Sequence, residues 1–372
     1  MKLNNNQQAF FELVRAGLWE KDVCLLPYGD IDFQEVFRLA QEQSVVGLVA
    51  AGLEHISDKR PSKEDVLSLA GEVLQLEQRN NEMNDFVGVL VEKMRDADIY
   101  ALLVKGQGIA QCYERPLWRA CGDVDFFLSE SNYERAKAYL TPMASSVEVE
   151  GKSEKHQGLI IDLWTVEIHG TLHGGLSRRI DNVLDEIRND VFYSGIVRSW
   201  INGKTQVFLP GFDCDSIYIF THLLTHFYKD GVGLRQVCDW CRLLWISKDR
   251  INKSLLETRL RKMGLMSEWK AFGSFAVNCL GMPSDAMPFY SSSNKWKRKA
   301  SHICSFILEV GNMGHNRDSS YSSTHSFIVR KAYSLRRRIG DLLRHSLIFP
   351  LDSLRFFPNI LFNGLRSSLR GE

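Results

Sequence analysis

The sequence predicts an α+β fold: a mixed sheet core with an N-terminal helical layer and a C-terminal helical domain. Two observations carry this. Apolar residues recur at helical spacing up to residue 95 and again from Asp213 onward. Between these stretches lie runs rich in β-favouring side chains, at 99–104, around 123–127 and at 159–168. The 372 residues suit two or three domains, and an apolar fraction of 44% is ample for their cores. The expected division is 1–95, a helical region; 96–205, an α/β core; 206–290, a helical domain; and 291–372, a basic helical region.

In the first region Phe10, Phe11, Leu13 and Val14 recur at helical spacing. Asp32 is placed to cap a helix through Phe37 and Leu39, with 45–53 as its apolar continuation. Pro61 breaks the chain, and Ser62 caps a long helix over 63–95 whose apolar stripe includes Leu69, Val73, Val87 and Leu90. This layer is expected to support the sheet and to carry no chemistry.

The centre of the chain holds the chemistry. After the 99–104 strand, Gly106 and Gly108 permit a tight turn whose backbone N–H groups face an anion. Residues 109–113 read as a short helix, which Pro116 helps to end. The next strand carries Asp123 and Asp125. Side chains two apart on a strand share a face, so both carboxylates reach one divalent cation while Val124 and Phe126 enter a core. Residues 130–140 form an amphipathic helix capped by Ser129 or Ser131. Residues 147–149 and 159–168 then read as two strands. On the second, Glu167 shares a face with Thr165 and His169, and Asp162 falls on the opposite face. Residues 176–188 read as a charged helix and 206–210 as an edge strand stopped by Pro210. Asp213 or Asp215 is expected to cap the first of the later helices, with breaks at 281–288 and 291–294.

A strand, a glycine turn, a helix and a strand bearing Asp-x-Asp together resemble the nucleotidyltransferase superfamily. The closer resemblance is to bacterial proteins described as uncharacterised nucleotidyltransferases, often found with capsule or surface-glycan genes. Three segments carry it: LLVKGQGIAQCYERPLWRACGDVDFFL, WTVEIHGTLH and HLLTHFYKDGVGLRQVCDW. It spans roughly residues 40–290. The gap from Gly106 to Asp123 is longer than in the compact superfamily motif, so a loop at 116–121 must be absorbed. The resemblance implies a nucleotidyltransferase-like core in which Asp123 and Asp125 bind Mg²⁺ or Mn²⁺. It selects Glu167 over Asp162 as third acid, metal ligand and candidate base, with His169 orienting Glu167 or touching substrate. The triphosphate would rest on Lys105, Gly106, Gln107 and Gly108, with Lys105 either neutralising charge or ending its strand in solvent. Arg115 and Arg119, flanking the loop before Asp123, are candidates for phosphate contact. His156 is a weaker candidate than His169.

His222 and His226 lie one helical turn apart, Gly231 and Gly233 make a loop, and Arg235 and Asp239 lie a turn apart on the next helix. The expected role is a helix–loop–helix closing over the site, with His226 and Arg235 facing phosphates or acceptor, His222 in support and Asp239 orienting Arg235. Cys238-x-x-Cys241 invites a zinc reading, but both cysteines fall inside an apolar helical pattern where thiols pack.

The net charge of +1 gives no global case for nucleic-acid binding. From Lys295 onward, however, basic residues outnumber acidic ones by roughly nine. Residues 1–8 are polar with no cleavable apolar run behind them, and no stretch reaches the roughly 20 apolar residues of a spanning helix. A cytoplasmic protein with eight reduced cysteines is expected, with peripheral contact at the inner membrane surface through its basic C-terminal region. The expected activity is transfer of a nucleoside monophosphate from ATP or another triphosphate to an acceptor: a glycan, small molecule, protein or RNA. Surface-polysaccharide biosynthesis is one setting for it. The alternatives are a non-catalytic scaffold of the same fold recruited to a membrane-bound glycan-assembly complex, and an RNA- or protein-modifying nucleotidyltransferase.

Overall fold

A computed structural model describes residues 3–148, 155–316 and 327–369. The first helices form where their caps predict. Helix α1 (Asn5–Trp19) starts in a capping box, the Asn4 side chain accepting from Gln7 N and the Gln7 side chain accepting from Asn4 N. Helix α2 (Phe33–Glu42) starts at Asp32, which accepts from the amides of Gln34 and Glu35. The expected apolar continuation is instead a separate helix, α3 (Val46–Glu54). The break sits at Ser44, whose φ is +56°. It frees Gln43, whose Oε1 accepts from Leu234 N at 2.9 Å and whose amide donates to Ile307 O at 3.0 Å. Helix α4 (Lys63–Asp96) runs 34 residues from its Ser62 cap, with acids in its first turn and bases in its last.

Strand β1 (Ala101–Val104) leads into α5 (Gly106–Ala110). The expected turn over Gly106–Gly108 and helix over 109–113 need correction. Positive φ falls on Lys105 (+54°) and Gly106 (+34°), and the helix begins at once. Gly108 serves packing: a Cβ there would meet Leu209 Cδ2 at 2.9 Å. Strand β2 (Asp123–Leu128), α6 (Glu130–Leu140) and β3 (Ser146–Val147) follow. Ser129 stands at the α6 N-cap without a side-chain cap bond, and residue 149 lies outside the described residues. The single strand expected over 159–168 is a hairpin, β4 (His156–Ile161) and β5 (Trp164–His169). Asp162 takes a φ of +54° in its two-residue turn, so it lies on neither face of the sheet.

The sheet order is β1-β2-β5-β4-β3, with β2 and β5 parallel and the other neighbours antiparallel. One face carries Val124, Phe126, Val166 and Ile168 into a core shared with Met83, Val87 and Leu90 of α4 and Tyr133 of α6. The other carries Asp123, Asp125, Glu167 and His169.

Helix α7 (Arg178–Ser194) precedes a second hairpin, β6 (Val197–Asn202) and β7 (Thr205–Pro210). Only the second strand is expected from sequence. The Gly203-Lys204 turn, with Gly203 at φ +59°, was the available hairpin signal. Helix α8 (Phe212–Lys229) is capped by Gly211, so Asp213 and Asp215 lie in its first turn and are not caps. Helices α9 (Leu234–Ile246), α10 (Lys253–Met263), α11 (Met266–Leu280), α12 (Asn294–Val310), α13 (Phe327–Ile348) and α14 (Pro350–Leu369) complete an α+β architecture with a helical C-terminal region. None of the eight cysteines forms a disulfide, and Cys238 and Cys241 are buried in the core of α9 as packing thiols.

Helices α1 and α3 cross at glycines. A Cβ on Gly17 would stand 2.0 Å from Leu48 O, and one on Gly52 would stand 2.1 Å from Leu13 O. Gly52→Ala should therefore destabilise the protein by about 3 kcal/mol, read as a lower denaturation midpoint. Gly71→Ala, at a helical position with nothing within 4 Å, should leave it unchanged or raised.

Candidate functional site

The site is built on the parallel pairing of β2 with β5. Its register sets Asp125 opposite Glu167 and Asp123 opposite Thr165. Side chains alternate on each strand, so Asp123, Asp125 and Glu167 emerge on one face. Carboxylate oxygens of all three lie within 4.8 Å of one another.

Asp125 is 1% exposed and its two oxygens differ. Lys105 Nζ is 2.6 Å from Oδ1, and His169 Nε2 is 2.8 Å from the same atom. Oδ2 is buried and has no hydrogen-bond partner among the described residues. The negative charge of Asp125, with burial, raises the proton affinity of Asp123 above that of an ordinary carboxylate. Burial opposes ionisation of Glu167 too, but hydrogen bonds from His156 and His169 hold its carboxyl well below the usual range. Burial likewise disfavours the charged forms of Lys105 and His169. The Asp125 charge outweighs it at Lys105, and hydrogen bonds to Asp125 and Glu167 outweigh it at His169, so both are raised.

These features fit a hard divalent cation. The donors are carboxylate oxygens, one buried oxygen is orphaned, and two acids repel each other across one strand. A second cluster, His156–Glu167–His169, shares Glu167 and also lies within 4.8 Å. His156 Nε2 is 3.2 Å from Glu167 Oε2, and its ring stacks on His169 at 4.7 Å between centroids. The nearness of His156 to Glu167 has no local signal in the sequence, because the hairpin is what places His156 opposite His169.

Two clefts meet at Lys105, Glu167 and His222. The first, of about 160 Å³, has the acids on one wall and Arg119, His226 and Arg235 on the other. The second, of about 210 Å³, is lined by His156, His169, His173, Tyr218, Thr221 and Thr225. Gly106 lines the first cleft. Gln107 and Gly108 do not: the Gln107 amide donates to Asn80 Oδ1 at 3.1 Å, and Gly108 faces Leu209. Asn80 in turn donates to the carbonyls of Leu117 and Arg119, so α4 fixes the loop before Asp123.

The expected Asp239–Arg235 pairing is overturned. Asp239 grips Arg119 through two bonds, Nε–Oδ1 at 3.0 Å and Nη2–Oδ2 at 2.6 Å, and accepts from Tyr113 Oη at 2.8 Å. Arg235 donates to Ala120 O at 2.5 Å, and its buried Nε has no partner among the described residues. Arg119 is the nearer base to Asp239 because the loop at 116–121 folds back over α9. Arg115 leaves the cleft altogether, pairing with both oxygens of Glu54 and stacking on Trp118. His222 and His226 do face the cleft, their Nε2 atoms 3.1 Å apart. Burial pushes His226 down to about 4 and His222 well below its ordinary value, so both are neutral at pH 7.

Residues 29–280 match the family described as uncharacterised nucleotidyltransferase, and the chain belongs to that family. Comparison with curated proteins and with solved structures returns no match.

Asp239→Ala leaves the Arg119 guanidinium buried without its carboxylate and should cost about 3–5 kcal/mol, seen as a fall in the thermal midpoint. The raised affinity of His169 for its proton stabilises the fold fully below its ordinary value of about 6.5 and is lost as pH rises through the higher folded value. Denaturant midpoints of wild type and His169→Asn, measured metal-free, should therefore converge as pH rises.

Proposed function

We propose that the chain is a Mg²⁺-dependent nucleotidyltransferase that passes a nucleoside monophosphate from a triphosphate to a hydroxyl or phosphate of a small acceptor. The observation that carries this reading is the triad of Asp123, Asp125 and Glu167 facing Arg235 across a cleft. Asp123, Asp125 and Glu167 would hold the metal, which supplies phosphate alignment and a lowered pKa for the attacking hydroxyl.

The chain's own groups divide the remaining work. Arg119 is neutralised by Asp239, so Arg235, with a free buried Nε, is the guanidinium that meets the triphosphate. Lys105 balances Asp125 from within and contributes positive charge at the acid wall. The acceptor lies in the second cleft, against hydroxyls and imidazoles. Its oxygen forms a bond to the α-phosphorus as the bond to the β-phosphate oxygen breaks and pyrophosphate leaves. A hydroxyl acceptor gives up its proton in this step. Glu167 is too weak a base to keep it, and His156 is placed to receive it at Nδ1, the ring nitrogen that does not donate to Glu167. A cleft of about 210 Å³ lined with polar side chains favours a compact polyhydroxylated acceptor over an RNA or protein end.

Incubation with α-labelled ATP, GTP, CTP or UTP, Mg²⁺ and a panel of sugar phosphates tests this by transfer of the label to the sugar phosphate. One triphosphate should support turnover, and Asp123→Asn should reduce it roughly 100- to 1,000-fold. Wild-type turnover by Asp123→Asn would refute the mechanism. Arg235→Ala should chiefly raise the KM for the triphosphate.

A further inference from the structure

The two C-terminal helices are apolar on the wrong side. Helix α13 buries Asp341, His345 and Ile348, and the His345 ring lies 4.6 Å from that of Phe227 on α8. Its other side carries Leu335, Ile339, Leu343 and Leu347, four residues apart and 44, 45, 65 and 74% exposed. At about 100° per residue this stripe lies roughly half a turn from the buried positions. Helix α14 repeats the arrangement. It buries Ser353, Phe356 and Ile360, and leaves Leu351, Leu354 and Phe362 78, 63 and 65% exposed. A helix docked on a globular core normally shows polar residues outward.

The charges around this ridge are mostly basic. The α13 sequence holds Arg330, Lys331, Arg336, Arg337, Arg338 and Arg344 against one acid, Asp341, which is buried. Arg336 and Arg337 are exposed at and beside the leucine stripe, and Arg344, on its flank, pairs with Glu309 Oε1 at 2.6 Å. Among the described residues no helix is long and apolar enough to cross a membrane. An outward apolar stripe flanked by arginines, on helices too polar to span, is the pattern of a helix lying in a membrane interface.

We propose that the outward face of α13 and α14 seats the protein on an anionic phospholipid bilayer. The leucine ridge enters the boundary between headgroups and acyl chains, and the arginines meet lipid phosphates. Charge complementarity selects this occupant. A second copy docked on the same face would set arginines against arginines across a two-fold axis. The inference does not depend on nucleotidyl transfer. Helix α8 joins the two regions, presenting His222 and His226 to the clefts and Phe227 and Tyr228 to the tail.

Co-sedimentation of the full chain with vesicles tests the proposal. Phosphatidylcholine vesicles with about one-third phosphatidylglycerol should bind it, and binding should fall in roughly 0.5 M salt. Pure phosphatidylcholine should bind it far less. Leu343→Gln with Leu347→Gln, and separately Arg336→Glu with Arg337→Glu, should each weaken binding at least about tenfold with unchanged melting temperature. Leu347→Trp should keep binding and show a blue-shifted emission on anionic vesicles. Failure to bind anionic vesicles would overturn the proposal. So would undiminished binding by the double leucine variant, or a concentration-dependent dimer that this variant abolishes.

Discussion

The pairing of β2 with β5 is the constraint on which the candidate site depends. Parallel strands need a crossover, here supplied by α6, β3 and β4 between Leu128 and Trp164. The pairing brings an acid from residue 167 beside acids at 123 and 125. A slip of one residue would send Glu167 into the core and Ile168 into the cleft. The packing of Val124, Phe126, Val166 and Ile168 against α4 and α6 forbids that slip. The apolar face of the sheet thus fixes the geometry of its polar face.

Three acids on one small surface would be unstable without compensation. Lys105 and His169 both address Asp125 Oδ1, and His156 and His169 both address Glu167. The second oxygen of Asp125 has no hydrogen-bond partner among the described residues. Across the cleft the same economy holds: Asp239 takes Arg119 as its partner, leaving Arg235 with an unpartnered nitrogen. Each charged wall is half satisfied internally and half available. That division is what a cleft for a metal-bound polyanion requires.

Much of this was legible in the sequence where the signal was local. Alternation across Asp123-Val124-Asp125-Phe126 placed the acids on one face. Asp32 and Ser62 marked helix starts by their own side-chain oxygens. Failures came where local patterns were ambiguous or partners were remote. The apolar run at 159–168 continues across Asp162-Leu163, so the turn was hidden and with it the nearness of His156 to Glu167. Glycine at 108 read as a phosphate turn because Leu209, the residue it accommodates, lies a hundred positions away. Asp239 chose Arg119 over Arg235, its neighbour one helical turn back, because bidentate pairing with the incoming loop offered better geometry than a contact along its own helix. The N-terminal helices, expected to be bystanders, tie down the site through Asn80 and Gln43.

Nucleotidyl transfer at this site requires that the carboxylate triad hold a metal together with a triphosphate. Electron paramagnetic resonance of Mn²⁺ titrated into the protein with a non-hydrolysable triphosphate addresses this without knowledge of the acceptor. The account predicts protein-bound Mn²⁺ whose affinity rises with the triphosphate and is lost in Asp125→Asn. A Mn²⁺ spectrum unchanged by wild-type protein, with and without triphosphate, would contradict it.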